Sequence, residues 1–227
     1  MTDRRDTALP AASQPGSRAD RIMWATVNLA RRHWMFWLLL AGGLALRGIA
    51  QIAYEPALLF IDSKKYIFGT DFTNTIWGSF DPLGYSLLIL RPILLAGRSL
   101  AYAALAQHVL GMVMAGALYA LMVRRGVYRW LAALAVAPVL FDAYQLNAEQ
   151  TIMPDVLFET MIAAGLVVLL WRPGRWPVAV CGSGALLLGA AVTVREIGAV
   201  LIVPVVVFAA LTVRGWRRRM RRAALAA

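Results

Sequence analysis

An all-α, polytopic bundle of membrane-spanning helices is the fold class this sequence predicts. Three observations carry it. Apolar residues make up 60% of the chain and charged residues only 15%, with a mean hydropathy of +0.65, too apolar for a soluble domain of 227 residues. Stretches approaching the roughly 20 residues that cross a bilayer core of about 30 Å recur from Trp34 to Val213. Short Arg-rich turns interrupt them.

Taken in order, residues 1–30, with Pro10, Ser13, Pro15, Gly16 and Ser17 among scattered charges, cannot bury a core and read as a disordered cytoplasmic tail. The charged region is too long for a cleaved leader, and no small-residue cleavage site follows the first apolar stretch. A transmembrane module over residues 31–216 follows, with predicted spans at 34–53, 100–123, 130–144, 153–171, 177–194 and 198–213. Residues 217–227 form a basic cytoplasmic tail, in which Arg217, Arg218, Arg219, Arg221 and Arg222 anchor topology and meet anionic lipid.

The loop 54–99 is long and contains the apolar piece Tyr85–Leu95, bounded by Asp81-Pro82 and Arg91-Pro92. It is too short to cross and predicts an interfacial or re-entrant helix. Orientation follows from the cations, which resist translocation. With both termini inside, seventeen basic and three acidic residues fall on the inner side, and six basic and nine acidic residues on the outer. The net charge of +11 therefore reflects topology, and the punctuating pattern of the cations argues against a nucleic-acid partner. The lone cysteine, Cys181, supports neither a disulfide framework nor a thiolate metal site.

The candidate chemistry gathers on the outer side. In Phe60-Ile61-Asp62-Ser63-Lys64-Lys65-Tyr66, a helical turn would put Asp62 and Tyr66 on one face, with Asp62 able to take a proton from an acceptor hydroxyl. The alternative for Asp62 is a solvated loop charge. Asp142, Glu149, Asp155 and Glu159 span the turn before the fourth span. Asp155 and Glu159 stand one helical turn apart, and an ionised carboxylate in a span needs a proton, a cation or a polar cavity. If that helix begins later, both lie at the interface. His108 and Gln107, inside the second span, read as hydrogen bonds to a neighbouring helix; alternatively His108 with Glu149 or Asp155 holds a divalent metal, for which no close-spaced ligand pair speaks. Arg195, against the positive-inside trend, suits bidentate capture of a phosphate or a plain pair with a carboxylate.

These landmarks, in order, resemble the N-terminal half of bacterial polyprenyl-phosphate-dependent glycosyltransferases of the C superfamily, near the protein mannosyltransferases and lipid A sugar transferases. The resembling stretches are Leu46-Arg47, Phe60 to Tyr66, Asp81-Pro82-Leu83-Gly84-Tyr85-Ser86, Gln107-His108-Val109-Leu110-Gly111, Tyr144 to Phe158 and Thr193 to Gly198. The resemblance implies a bacterial plasma-membrane enzyme with an outward-facing site. Asp62 would be its catalytic carboxylate, Lys65, Tyr66, His108, Glu149 and Asp155 would bind substrate, and Arg195 would meet the phosphate of a lipid-linked sugar. Members of that group are usually longer, carry Pro where Glu196 stands, and have more neutral residues at Lys64-Lys65. The chain accordingly reads as a minimal module or as a catalytic half that works with a second membrane subunit. The rival reading is a lipid-binding accessory subunit or a small transporter. Ionisable residues that stop in the outer half of the spans disfavour a conduit.

Overall fold

The computed structural model describes residues 31–68, 82–171, 178–201, 203–204 and 206–207. Both predicted tails, half of the sixth span and the 172–177 turn lie outside them. The described residues are mostly helical and form no strand. Helix α1 is Trp34–Ala53 and α2 is Ser63–Phe68. A π-helical turn, Ser86–Leu90, then runs into α3, Arg91–Leu95. The long α4, Leu100–Arg124, precedes α5, Arg129–Phe141, and α6, Ala143–Gln150. The hairpin of α7, Asp155–Leu170, and α8, Val178–Ala190, ends in 3-10 turns at Ala191–Thr193 and Glu196–Leu201.

Helix ends follow from local chemistry. Beyond α4, Gly126 takes φ +89°, and Val127 N–H reaches Met122 C=O (3.0 Å) while Gly126 N–H reaches Val123 C=O (3.1 Å). This paired closure satisfies the last carbonyls and needs a residue tolerant of positive φ. Gly97, at φ +68°, ends α3 in the same way. Pro92, at the second position of α3, has no N–H to give to the preceding turn, which widens into the π-helical turn before it.

Among the described residues two helices, α1 and α4, are long and apolar enough to cross a membrane, and the α5–α6 pair makes a third if its 50° bend is counted within one span. At 16 and 13 residues, α7 and α8 are shorter than the predicted spans 153–171 and 177–194. The predicted span 130–144 is instead a broken helix. Pro138 lies inside α5, Asp142 adopts an extended backbone, and its carboxylate accepts from Tyr144 N–H (2.7 Å) to start α6.

The helix α4 is the axis, carrying nine buried residues and packing against α1, α5, α6 and α7. At one end Phe36 stacks on Tyr119 with ring centroids 3.9 Å apart, and His33 Nδ1 bonds Tyr119 Oη (2.6 Å). Exposed Trp34, Trp37, Tyr128 and Trp130 ring that end, and exposed Tyr54 and Tyr144 stand toward the other. Aromatics at both margins of apolar helices suit bilayer interfaces. Glycines let α7 and α8 cross closely: a Cβ on Gly165 would fall 2.6 Å from Leu188, and one on Gly184 2.6 Å from Leu169.

The re-entrant expectation for Tyr85–Leu95 meets a helix that is half buried. Tyr85, Ser86 and Leu90 are buried against α2 and α4, whereas Leu88 and Leu95 are exposed. A single parallel bridge ties the loop after α1 to the turn before α7, with Leu58 N–H bonding Gln150 C=O and Ile152 N–H bonding Leu58 C=O, each 3.0 Å.

Candidate functional site

The break between α5 and α6 leaves the carbonyls at the end of α5 without helical partners, and Arg47 of α1 supplies them. Its Nη1 donates to Leu140 O (3.0 Å) and Gly43 O (3.1 Å), and its Nη2 to Val139 O (3.0 Å). A guanidinium at a helix C-terminus also meets the negative end of the dipole. The same Nη2 lies 2.6 Å from Glu149 Oε1, in a pair whose side chains are 2% and 0% exposed. Sequence reasoning put Arg47 only at the end of the first span. A cation inside an apolar helix requires an anion, which was the signal pointing to a partner.

Glu149 Oε2 sits 2.8 Å from His108 Nδ1, and His108 Nε2 sits 2.8 Å from Gln150 Oε1. Gln150 Nε2 donates to Tyr54 O (3.1 Å), which turns its amide oxygen toward the ring, so Nε2 is the donor there. One proton therefore lies between Nδ1 and Oε2. Gln145 Nε2 adds a further bond to Glu149 Oε1 (3.2 Å). Beside this network Gln107 Nε2 donates to the carbonyls of Glu149 and Thr151 (2.8 Å each), and Gln107 Oε1 accepts from Tyr85 Oη (2.6 Å). Gly111 makes room for it, since a Cβ there would overlap the Glu149 carboxylate.

This arrangement answers the metal question for His108. Both ring nitrogens and both oxygens of Glu149 already have protein partners, and among the described residues no three His, Cys, Asp or Glu side chains gather. The donors do not fit a metal ion. His108 and Glu149 are thus brought together, as the sequence allowed, in a network that already gives both ring nitrogens and both carboxylate oxygens protein partners. Tyr85, Arg47 and Gln150 were not among the candidates for this cluster's partners, whereas Gln107 was read as bonding a neighbouring helix, as it does. A buried amide or phenol gives no periodic signal in one sequence.

The other candidates lie outside the network. Arg195 pairs with Asp155 at the start of α7, with side chains 37% and 25% exposed. That helix begins at Asp155, so Asp155 lies at its mouth and half-buried Glu159 one turn along. Asp62 precedes α2 and pairs with Lys65 at 3.2 Å, the two being 42% and 49% exposed. Asp62 and Tyr66 end in different surroundings, the first partly exposed and the second buried. The helix starts one residue after Asp62, and Tyr66 turns inward to meet Tyr85 edge to face, with ring centroids 5.6 Å apart. Ser86 Oγ donates to Tyr66 O (3.0 Å), fixing α2 on the half-buried helix. Close packing brings the 191–195 turn to the same place, where a Cβ on Gly84 would lie 2.5 Å from Thr193 O.

A lateral groove of about 500 Å³ runs between α1 and α4, walled by Leu44, Gly48 and Ile52 on one side and Leu105, Val109 and Val113 on the other, with Arg47, Gln51 and His108 also lining it. No protein-family model, curated protein sequence or solved structure matches the chain.

Proposed function

We propose that the chain is a membrane glycosyltransferase, or its catalytic half, moving a sugar from a polyprenyl phosphate to a cell-envelope acceptor on the outer face of a bacterial plasma membrane. In this reading α7 and α8 cross as a tight hairpin, a final span follows, and both termini are cytoplasmic. The observation that carries it is the division of polar groups. The deep ones, Arg47, Glu149 and His108, have their oxygens and most of their nitrogens engaged by protein. The accessible ones, Asp62, Asp155 and Arg195, belong to segments that pack around Tyr66 and Tyr85.

Asp62 is partly exposed and pairs with one exposed lysine, Lys65. It takes the proton of the acceptor hydroxyl as that oxygen bonds to the sugar C1, and the C1–O bond to phosphate breaks with its electron pair leaving on polyprenyl phosphate. Arg195, only partly engaged by Asp155, stabilises the charge on that leaving phosphate. The test is transfer from polyprenyl-phosphate-linked sugar in membranes containing this protein alone. Loss of transfer in Asp62→Asn with normal protein level is the expected result, and wild-type transfer removes Asp62 from catalysis.

A second reading, a lipid-binding accessory subunit, is favoured by the apolar groove between α1 and α4. It predicts no turnover alone and restored turnover with a copurifying transferase.

A further inference from the structure

One end of the bundle gathers cations that no described carboxylate answers. Arg31, Arg32, Arg124, Arg125 and Arg129 stand where α1 begins, α4 ends and α5 begins, and all of them are exposed. Every described carboxylate lies toward the other end, after Ala53, from Asp142 to Glu159, or at Glu196. Arg124 has partners, since its Nε donates to Trp171 O (2.9 Å) and its guanidinium lies 4.8 Å from the centre of the Trp171 ring. Among the described residues, the side chains of Arg31, Arg32, Arg125 and Arg129 make no hydrogen bond or ion pair.

Packing brings two of these four to one place. Arg32 directly precedes His33, whose Nδ1 bonds Tyr119 Oη of α4 at 2.6 Å. Tyr119 stacks on Phe36 and packs in one cluster with Ala132 and Ala133 of α5. Arg129 lies three and four residues before those alanines, so it shares their helical face one turn nearer the end. Both guanidinium groups reach the same imidazole: burial first, then Arg129 and Arg32, hold His33 below the usual histidine range. Like charges that meet at one side chain repel, and more strongly at a bilayer margin than in bulk water. An anion bound between them turns that repulsion into attraction.

Exposed Trp34, Tyr128 and Trp130 stand beside the two arginines, and such side chains sit at headgroup depth. A lipid phosphate lies at that depth, carries the required charge and offers oxygens to two guanidinium groups at once. We propose that Arg32 and Arg129 clamp the headgroup phosphate of an anionic phospholipid at this end of the bundle. The inference rests on α1 and α4 crossing a membrane and is independent of sugar transfer.

The test is retention of radiolabelled phosphatidylglycerol by the immobilised full chain in neutral-detergent micelles. Phosphatidylcholine with the same chains, whose phosphate carries its own ammonium, is the comparison. Saturable retention of phosphatidylglycerol is expected, about tenfold tighter than that of phosphatidylcholine. Arg32→Gln and Arg129→Gln each weaken it about fivefold, and the double variant about 25-fold. A melting curve for each variant establishes that it folds. Arg217→Gln/Arg218→Gln, in the basic tail, is the charge-matched control and leaves retention unchanged. Equal retention of the two lipids, or unaltered retention in the double variant, overturns the clamp. An equal loss in the tail variant overturns its location, because net charge alone is then being read. Inorganic phosphate in large excess, at constant ionic strength, leaves the lipid bound because it lacks the apolar chains; displacement by it means that the site takes free phosphate, and overturns the lipid.

Discussion

Two ion pairs of like chemistry, Arg47–Glu149 and Lys65–Asp62, occupy opposite extremes of solvent exposure in this molecule, and they do different work. The first is buried between α1, α4 and the α5–α6 break, with every oxygen of Glu149 engaged. The second is roughly half exposed, joined by one contact of 3.2 Å between residues three apart. A buried pair is not by itself a large gain over an apolar core, but removal of one partner strands the other in low dielectric. An exposed pair is screened and costs little to lose. Depth therefore commits Glu149 to architecture and leaves Asp62 open to solvent.

The sharpest way to break that contrast is Glu149→Leu, which leaves Arg47 and a shared proton on His108 without an anion. Unfolding in micelles is expected to show a loss of about 3–5 kcal/mol. The double variant Arg47→Met/Glu149→Leu is expected to recover much of it, because neither charge is then stranded. If the single substitution costs under about 1 kcal/mol, the network does not hold the break together.

Next in size is Gly111→Ala. Its methyl group would overlap the Glu149 carboxylate, so the network or α4 must shift, at about 1–3 kcal/mol. Gly116→Ala, on the same helix but facing open space, is the matched control and should gain up to about 1 kcal/mol from helix propensity. Equal effects at both positions would mean that the fit around Glu149 is loose.

How much of this was legible beforehand differs between the same two regions. The apolar lengths of α1 and α4 are local properties, and helices came out where hydropathy put the first two spans. The break at Asp142 was not seen, because an apolar run containing Pro138 averages to a span whether or not the helix bends. The pairing of His108 with Glu149 was open in the sequence as one of two acids. The roles of Arg47, Gln150 and Tyr85 depend on contacts between residues 22 to 102 positions apart, which periodicity does not encode. The exposed charges, by contrast, were read as accessible from their loop positions. Asp62 stands just before α2, and the packing of Tyr66 against Tyr85, a contact no spacing encodes, is what separates the two in exposure.

Between the extremes lies Tyr85, which is buried and donates to Gln107 Oε1 at 2.6 Å. Tyr85→Phe keeps the ring against Tyr66 and removes only that bond, leaving a buried amide oxygen unpaired. A loss of about 1–2 kcal/mol is expected in the same unfolding measurement. An unchanged midpoint would show that the tie from the half-buried helix to α4 is carried by apolar contact alone.

The smallest effect on stability belongs to Asp62→Asn, and it sharpens the comparison most. The substitution is nearly isosteric, and the exposed Lys65 pair it weakens is worth no more than about 0.5 kcal/mol after screening. Its melting midpoint should match wild type, and adding salt to the wild-type protein should move that midpoint little. Transfer from a lipid-linked sugar should nonetheless be lost, because an amide accepts no proton from an attacking hydroxyl. Glu149→Gln supplies the opposite signature, reduced stability with whatever transfer the remaining folded protein retains. A variant set in which Asp62→Asn lowers stability as much as Glu149→Gln would erase the distinction between a buried charge that builds the fold and an exposed one that is free to react.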